Sequence, residues 1–427
     1  MRVPEQLLHC IWQHRLYAFS SLCCQHGQQL SVISPGQYHQ DAGPDFLFAC
    51  IQLDEQLWHG HVEVHVLASD WQSHQHDQDP AYNTVMLHVV WQANVDCYLK
   101  DGTLIPTLEL SKFVDEELLR KAHELLHNVH WIPCAYQVKS IPMFIKVQAI
   151  QRMAIARLEF RYEQILDWLK ESRGDWERVT LILLASSFGM RVNKSSMIDL
   201  SQLISLKLIQ KLSHQPLAIA SLFFGQAGFL TTLETNDFYI KKLKKEYQFL
   251  KTTYQLQEMS IFQWKFLRMR PYNFPTFKLA QLYGMYAHKS QWFSIIVEAD
   301  ELQDIYREIE QIQIHTYWKT HYHFLKISKE HETQISTSFQ DMLAINCFVP
   351  LLFAYAKHTG NTDAMDKAIR WLESIALEEN TISKRYRKAG MPAYSALDSQ
   401  GLLQLKATYC EPKKCLQCPI GLQILKR

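Results

Sequence analysis

The stretch from 41 to 90, DAGPDFLFACIQLDEQLWHGHVEVHVLASDWQSHQHDQDPAYNTVMLHVV, decides the fold and the candidate chemistry of this chain. A Pro-Asp pair heads its first apolar run, and Glu63 and His65 share one face of the next run because strand side chains alternate. The tight link at 54–56 predicts a hairpin, so we expect Asp45 to lie close to Glu63. Two carboxylates and a backbone carbonyl are a minimal site for Mg²⁺ or Mn²⁺.

The regions on either side of this stretch predict an α+β chain. Residues 4–20 predict an amphipathic helix, because apolar residues recur there at three- and four-residue spacing. From residue 30 to about 110, short runs rich in Val, Ile, Leu and aromatics predict about six strands in a mixed or antiparallel sheet. From about residue 114 onward the pattern is helical almost to the end.

The domain organisation follows from these pattern changes. We expect an N-terminal αβββ-type mixed-sheet domain, then a large all-α domain that ends in a four-cysteine metal site. The predicted bounds are 1–112 for the α/β domain, 113–142 for a helix and linker, 143–405 for the helical domain and 406–427 for the cysteine tail.

Bulk composition excludes several classes of protein. The 427 residues are 47% hydrophobic and 20% charged, which indicates a globular chain. The net charge of +1 gives no global electrostatic footprint for a polyanion, so a nucleic-acid role requires a local basic surface. The N-terminus has no signal-peptide pattern and no run of about 18 apolar residues occurs, so we expect a cytoplasmic protein without a membrane span.

A local basic surface is predicted between 241 and 278. Two segments, 241–251 and 264–278, carry nine Lys and Arg residues with aromatics interleaved. That mixture suits a nucleic-acid backbone with unstacked bases, and Arg268, Arg270 and Lys278 are the candidate substrate-binding residues. The alternative is an ordinary solvated helix face.

The C-terminal cysteines form a chelation pattern. Cys410, Cys415 and Cys418 have C-x4-C-x2-C spacing, and Cys134 in the 131–142 linker is the candidate fourth ligand. Four thiolates suit Zn²⁺ or a [4Fe–4S] cluster with a structural role. The alternative is a set of unliganded thiols or a redox pair.

Pro44-Asp45 and the later Glu63-Val64-His65 together resemble the motif of the PD-(D/E)XK nuclease superfamily, whose restriction-endonuclease-like core is αβββαβ. The resemblance implies a divalent-metal-dependent nuclease that hydrolyses DNA or RNA. It implies that Asp45 and Glu63 ligate the metal and that the Val64 carbonyl assists. His65 stands where the superfamily has lysine, and we expect it to orient or activate water or to bind the metal itself.

The same resemblance gives roles to two further residues. Glu5 corresponds to an additional acidic residue of some members, and Tyr82 to a substrate-contacting residue. Over essentially the whole chain, the motifs GPDF, VEVH, RPYNFPTFKLAQL and DSQGLLQL also resemble an uncharacterised family of bacterial proteins of unknown function, which implies no activity.

Three alternatives to the nuclease stay open at this point. One is a zinc-dependent hydrolase of a small substrate that uses Glu63, His65 and either His74 or His76. Another is a non-catalytic adaptor that binds nucleic acid or protein. In the plainest alternative, Asp45 only caps or bends the chain, and Glu63 and His65 are solvent-facing strand residues.

Overall fold

The computed structural model describes residues 3–19 and 21–426, and it has the mixed α+β composition that the sequence predicts. A mixed sheet occupies the N-terminal part, and helices fill most of the rest. The α-helices are α1 (Glu5–Gln13), α2 (Asp70–Ser73), α3 (Glu116–His127), α4 (Met143–Glu171), α5 (Trp176–Gly189), α6 (Lys194–Leu203), α7 (Leu206–Lys211), α8 (Pro216–Gln226), α9 (Phe238–Tyr254), α10 (Pro275–His288), α11 (Trp292–Glu298), α12 (Leu302–Glu310), α13 (Thr337–Leu343), α14 (Val349–Thr359), α15 (Thr362–Ser374), α16 (Thr381–Ala389), α17 (Ala396–Leu405) and α18 (Pro419–Leu425).

The main sheet has six strands in the order β1-β3-β4-β5-β6, with β2 paired to β3. The pairs around β3 are antiparallel, whereas β4, β5 and β6 run parallel to one another. The sheet is therefore mixed. Its strands are β1 (Leu30–Ser34), β2 (Gln37–Tyr38), β3 (Phe46–Leu53), β4 (Gln56–Leu67), β5 (Val85–Gln92) and β6 (Thr107–Glu109), and a separate two-stranded sheet joins β7 (His321–His323) and β8 (Lys326–Ile327).

The chain divides into two compact units that do not coincide with the bounds predicted from sequence. The first unit comprises Met1–Ile150, Asn380–Pro392 and Leu402–Arg427, and the second comprises Gln151–Glu379 and Ala393–Gly401. The sequence pattern changes at 112 and 142, but α3, the linker and the C-terminal segments all pack within the first unit. The second unit is a helical body around one large apolar core.

Two local predictions need correction. The first helix ends at Gln13 rather than near residue 20, because Arg15 adopts a left-handed backbone with φ of 52° that a helix cannot continue. The Asp-Gly pair at 101–102 also predicts a hairpin between the runs at 95–99 and 104–110. The two runs do meet in an antiparallel bridge between Tyr98 and Leu104, with the N–H of Ile105 donating to the carbonyl of Cys97, but the pairing stops there, and the short β6 pairs with β5.

Among the residues that the structure describes, one helical stretch meets the length and composition criteria for crossing a membrane, contrary to the expectation from sequence. It runs from Thr337 to Thr359, and 78% of its most apolar window is buried inside the protein. Such burial is typical of a core helix, which passes the same test. A π-helical segment, Ala344–Phe348, lies within this stretch.

Candidate metal centre

The β3–β4 hairpin fixes Asp45 and Glu63 against each other. The backbone N–H of Asp45 donates to Oε2 of Glu63 at 3.0 Å, and the N–H of Val64 donates to Oδ2 of Asp45 at 3.0 Å. Each carboxylate is thus held by the backbone beside the other. Glu63 is only 5% exposed and His65 2%, so neither is the solvent-facing strand residue of the plainest alternative.

The loop after β4 folds over these strand residues. Leu67 is the last residue of β4 and Asp70 the first residue of α2. Oδ2 of Asp70 accepts a hydrogen bond from the N–H of Leu67 at 2.9 Å, which holds the turn between the two elements. Trp71 is fully buried and donates its indole N–H to the carbonyl of Tyr98 at 3.1 Å. This anchoring directs His74 and His76, which follow α2, back towards β4.

His65, His74 and His76 form a cluster of imidazoles beside Glu63. Their ligand nitrogens all lie within 4.8 Å of one another. Nε2 of His65 is 3.2 Å from Nδ1 of His74, and Oε1 of Glu63 lies 3.3 Å from Nε2 of His76 and 3.5 Å from Nε2 of His65. The polar run at 74–79 is therefore more than a solvated loop, since both of its histidines reach the strand.

Two further histidines reach the site from distant parts of the chain. β5 pairs in parallel with β4, with His88 opposite Glu63, and Nε2 of His88 lies 2.9 Å from Nδ1 of His65. From α1, Nε2 of His9 lies 3.3 Å from Oδ2 of Asp45. Nδ1 of the same ring is 3.1 Å from the hydroxyl of Tyr38.

Burial controls the protonation of the site. It lowers the pKa of His65 to about 3, and the neighbouring charges of His76 and His74 act in the same direction. It also holds the pKa of His88 well below its ordinary value. Burial raises the pKa of Glu63, the nearby His76 imidazole opposes the shift, and the Asp45 carboxylate adds to it. The imidazoles of His65 and His88 are thus neutral near pH 7, and that of His65 is available as a ligand.

Tyr82 and Glu5, which the superfamily resemblance singled out, both lie at this site. The ring of Tyr82 stacks on His76 with centroids 3.8 Å apart. Burial raises the pKa of Tyr82 to about 12, with contributions from Glu63, Asp45 and Asp79. Partial burial likewise raises the pKa of Glu5, whose carboxyl is within electrostatic range of His9, Asp45, His74 and Asp70.

Only some residues of the basic surface predicted between 241 and 278 are exposed to solvent. Arg268 and Arg270 are exposed, whereas Lys278 is fully buried in α10. The Lys278 ammonium donates to Oε1 of Gln281 at 3.0 Å and lies 3.5 Å from the ring centre of Phe339. The prediction that Lys278 contacts substrate is therefore wrong, because its side chain is enclosed by its own unit.

A cavity of about 490 Å³ adjoins the site within the first unit. His9 and Tyr38 line one part of it, and Lys413 and Lys414 line another. Both lysines are exposed. They were not among the predicted binding residues, although the sequence KK at 413–414 stands between two of the singled-out cysteines.

The residues of this site fit a divalent cation. Nε2 of His9 and Nε2 of His76 are buried and have no hydrogen-bond partner among the described residues. Each nonetheless lies 3.3 Å from a carboxylate oxygen, of Asp45 or Glu63 respectively. Two ligands each about 2.1 Å from one ion lie about 3.0–3.4 Å apart at octahedral or tetrahedral angles. The nitrogen–oxygen separations at this site therefore match those of ligand pairs around one ion.

Sequence reasoning missed His9 and His88 as site residues. His88 is a single imidazole in the otherwise apolar run VMLHVV, and a polar residue in a buried strand needs a partner. His9 likewise interrupts the apolar face of α1, where it is buried. Both signals were available in the sequence, but neither says which strand or loop the ring will meet.

Comparison with known proteins gives one match. The family model described as "Protein of unknown function (DUF2851)" matches residues 5–381. No curated protein and no solved structure matches the chain.

Proposed function

The chain belongs to the DUF2851 family, and we propose that it is a divalent-metal-dependent phosphodiester hydrolase that cleaves DNA or RNA. The metal-binding carboxylates are Asp45 and Glu63. The observation that carries the proposal is their reciprocal anchoring, with two orphaned imidazole nitrogens 3.3 Å from their oxygens. Placing the buried Glu63 carboxylate beside the half-buried Asp45 carboxylate is unfavourable unless positive charge compensates the repulsion, and a bound cation would supply it.

The order of elements agrees with this proposal. α1 precedes three antiparallel strands, β1, β3 and β4, and the short α2 then leads to β5, which is parallel to β4. When the two-residue β2 is left aside, this order is compatible with the αβββαβ core that the superfamily resemblance implies. Asp45 then precedes one strand and Glu63 lies within the next, which supports the proposal.

The chain's own residues have distinct tasks in the proposed reaction. A bound Mg²⁺ or Mn²⁺ would supply Lewis acidity and lower the pKa of water. His65 is neutral at pH 7, so it can orient water or bind the metal. Its pKa of about 3 makes it a poor proton acceptor, and it cannot supply the positive charge of a lysine at that position. Stabilisation of developing negative charge would then depend on other groups, such as the Lys413 and Lys414 ammonium groups beside the cavity.

A second candidate is supported by the histidine triad. His65, His74 and His76 offer three nitrogens within 4.8 Å of one another. Three imidazoles with an open fourth position form a typical catalytic zinc site, and Glu63 beside them would act as general base. This arrangement favours a zinc-dependent hydrolase of a small substrate.

Cleavage assays with matched variants test the proposal. Purified protein is incubated with single- and double-stranded DNA and RNA in Mg²⁺ or Mn²⁺, beside Asp45→Asn and Glu63→Gln. Both variants keep a carbonyl oxygen for the observed backbone hydrogen bonds, so they should fold. We expect a loss of cleavage larger than the about 10- to 100-fold that is typical for residues surrounding a ligand.

Glu55→Gln is the control, because Glu55 is exposed in the β3–β4 turn. It should cleave like the unmodified protein. Cleavage that survives in both Asp45→Asn and Glu63→Gln would overturn the assignment. If well-folded protein cleaves no polynucleotide but contains bound zinc, the zinc hydrolase is favoured. If it neither cleaves a polynucleotide nor binds zinc, the adaptor is favoured.

A further inference from the structure

We propose that Cys134, Cys410, Cys415 and Cys418 hold a [4Fe–4S] cluster that ties the C-terminal segment to the linker after α3. This inference does not depend on the proposed function at Asp45 and Glu63. Three of the four cysteines lie beyond residue 381, where the family match ends. All four belong to the first compact unit.

The linker and the C-terminal segment meet through Tyr386. Cys134 lies in a turn of the linker, where its carbonyl accepts from the N–H groups of Gln137 and Val138. The ring of Trp131, three residues earlier, packs edge-on against Tyr386 in α16 with centroids 4.8 Å apart. The Tyr386 hydroxyl in turn lies 3.3 Å from Sγ of Cys410.

The loop that carries the other three cysteines is tightly folded. Cys410 ends a π-helical segment, Cys415 begins a 3₁₀ turn, and Cys418 precedes α18. The N–H of Cys418 donates to the carbonyl of Cys415 at 3.2 Å. Gly421 packs so closely that an added Cβ would lie 2.0 Å from that carbonyl oxygen, so no other residue fits without displacement.

The four thiols are largely removed from solvent. Cys415 and Cys418 are buried, and Cys134 and Cys410 are half-buried. Backbone N–H groups of Gly421 and Ile420 donate to the sulfur of Cys418. Hydrogen bonds of this kind to cysteine sulfur stabilise bound clusters and set their potential.

We favour a cluster over zinc at these sulfurs. With Zn–S bonds of about 2.3 Å, a tetrahedral zinc site places its sulfurs about 3.8 Å apart. Among the residues that the structure describes, the group of ligand atoms found within 4.8 Å of one another is the histidine triad, which includes none of these four sulfurs. A cube of iron and sulfide holds its thiolates further apart than a single zinc ion does, and we assign the cluster on that ground.

The test measures iron, acid-labile sulfide and zinc in the full chain purified without oxygen from iron-supplied cells. We expect about four iron and about four sulfide per chain, with the visible absorption and Mössbauer spectrum of a cubane cluster. In Cys410→Ser and Cys415→Ser the iron content should fall to near zero. Cys50→Ser is the matched control, since Cys50 is a half-buried thiol on β3, and it should keep its iron.

Measurement on the unmodified protein keeps the test decisive even if a cysteine variant fails to fold. One zinc per chain that Cys410→Ser loses would overturn the cluster in favour of a zinc site. Iron retained in both serine variants, or no iron in the unmodified protein, would overturn it as well. A Glu63→Gln variant that keeps its iron while losing cleavage would show that the cluster and the proposed active site are separate.

Discussion

Nδ1 of His65 lies 2.9 Å from Nε2 of His88, so two buried imidazoles on neighbouring parallel strands share one hydrogen bond. One ring must donate and the other accept, which fixes the tautomer of both. If His65 donates from Nδ1, its Nε2 carries a lone pair towards Glu63, His74 and His76. His88 is thus a positioning residue, which determines how His65 can act.

Replacing His88 by Gln is expected to weaken the binding of Mn²⁺ or Zn²⁺ about 10- to 100-fold, because His65 loses the partner that orients it. Isothermal titration of metal into stripped protein measures the change. His59→Gln is the control, since His59 is exposed on the same strand as His65. Equal affinities for the two variants would argue that His65 takes no part in metal binding.

The depressed pKa of His65 predicts a pH dependence of the metal-free protein. The pKa is about 3 in the folded chain, against about 6.5 unfolded, so folding favours the neutral ring. The stabilisation is complete above pH 6.5 and falls by about 1.4 kcal/mol for each pH unit below it, down to about pH 3. Urea unfolding of the chelator-treated protein between pH 7 and 4 should show a steeper loss than the His65→Gln variant. If the free energy of unfolding depends on pH equally in the unmodified protein and in His65→Gln, the prediction is contradicted.

Replacement of His74 distinguishes metal binding by the histidine triad from metal binding by the carboxylates of Asp45 and Glu63. His74 belongs to the triad but is exposed, and its Nδ1 lies 3.2 Å from Nε2 of His65, so it meets the site through an imidazole and not through a carboxylate. If zinc binds the triad, His74→Ala should lower zinc affinity at least about 10-fold. If Mn²⁺ binds through the carboxylates, the same variant should leave Mn²⁺ affinity and cleavage nearly unchanged. Titration with each metal, beside Asp45→Asn, decides between them.

The lysines of the cavity predict an electrostatic contribution to polyanion binding. Lys413→Ala with Lys414→Ala should weaken binding to a single-stranded oligonucleotide and reduce the slope of log affinity against log salt by about 1 to 2. Fluorescence anisotropy at several salt concentrations measures both quantities. Lys121→Ala is a suitable control, because its ammonium lies 3.6 Å from Glu117. If the slope of log affinity against log salt is unchanged, Lys413 and Lys414 do not contact the oligonucleotide.

Buried and exposed basic residues of the second unit should behave differently. Arg268→Ala with Arg270→Ala removes two exposed charges, so a nucleic-acid surface there would lose affinity and salt dependence. Lys278→Met should leave affinity unchanged, because the side chain is enclosed. The same anisotropy measurement checks both variants. A loss of affinity in Lys278→Met with unchanged stability would contradict its interior placement.

The strands were predictable because alternation and turns are local signals. The apolar runs at 30–34 and 45–53 predict β1 and β3 near their observed bounds, whereas the run at 61–68 covers only the second part of β4, which begins at Gln56. The link at Asp54 correctly implied the hairpin beside Asp45. Parallel pairing is not local, so nothing in the sequence said that His88 would lie opposite Glu63. The burial of Lys278 also escaped prediction, since a lysine beside two arginines has the same local pattern whether or not a helix packs over it.

The assembly of the first unit from separated segments has a consequence for synthesis. Its sheet and candidate site lie within the first 150 residues, but its last segment begins at residue 402. At about 5–20 residues per second, a ribosome needs on the order of tens of seconds to make the intervening chain. During that time most of the second unit can fold. The surfaces of α1 and α3 that contact α18 and the cysteine loop in the finished protein remain uncovered. We therefore expect nascent chains that stop before residue 402 to leave these surfaces uncovered and to engage chaperones.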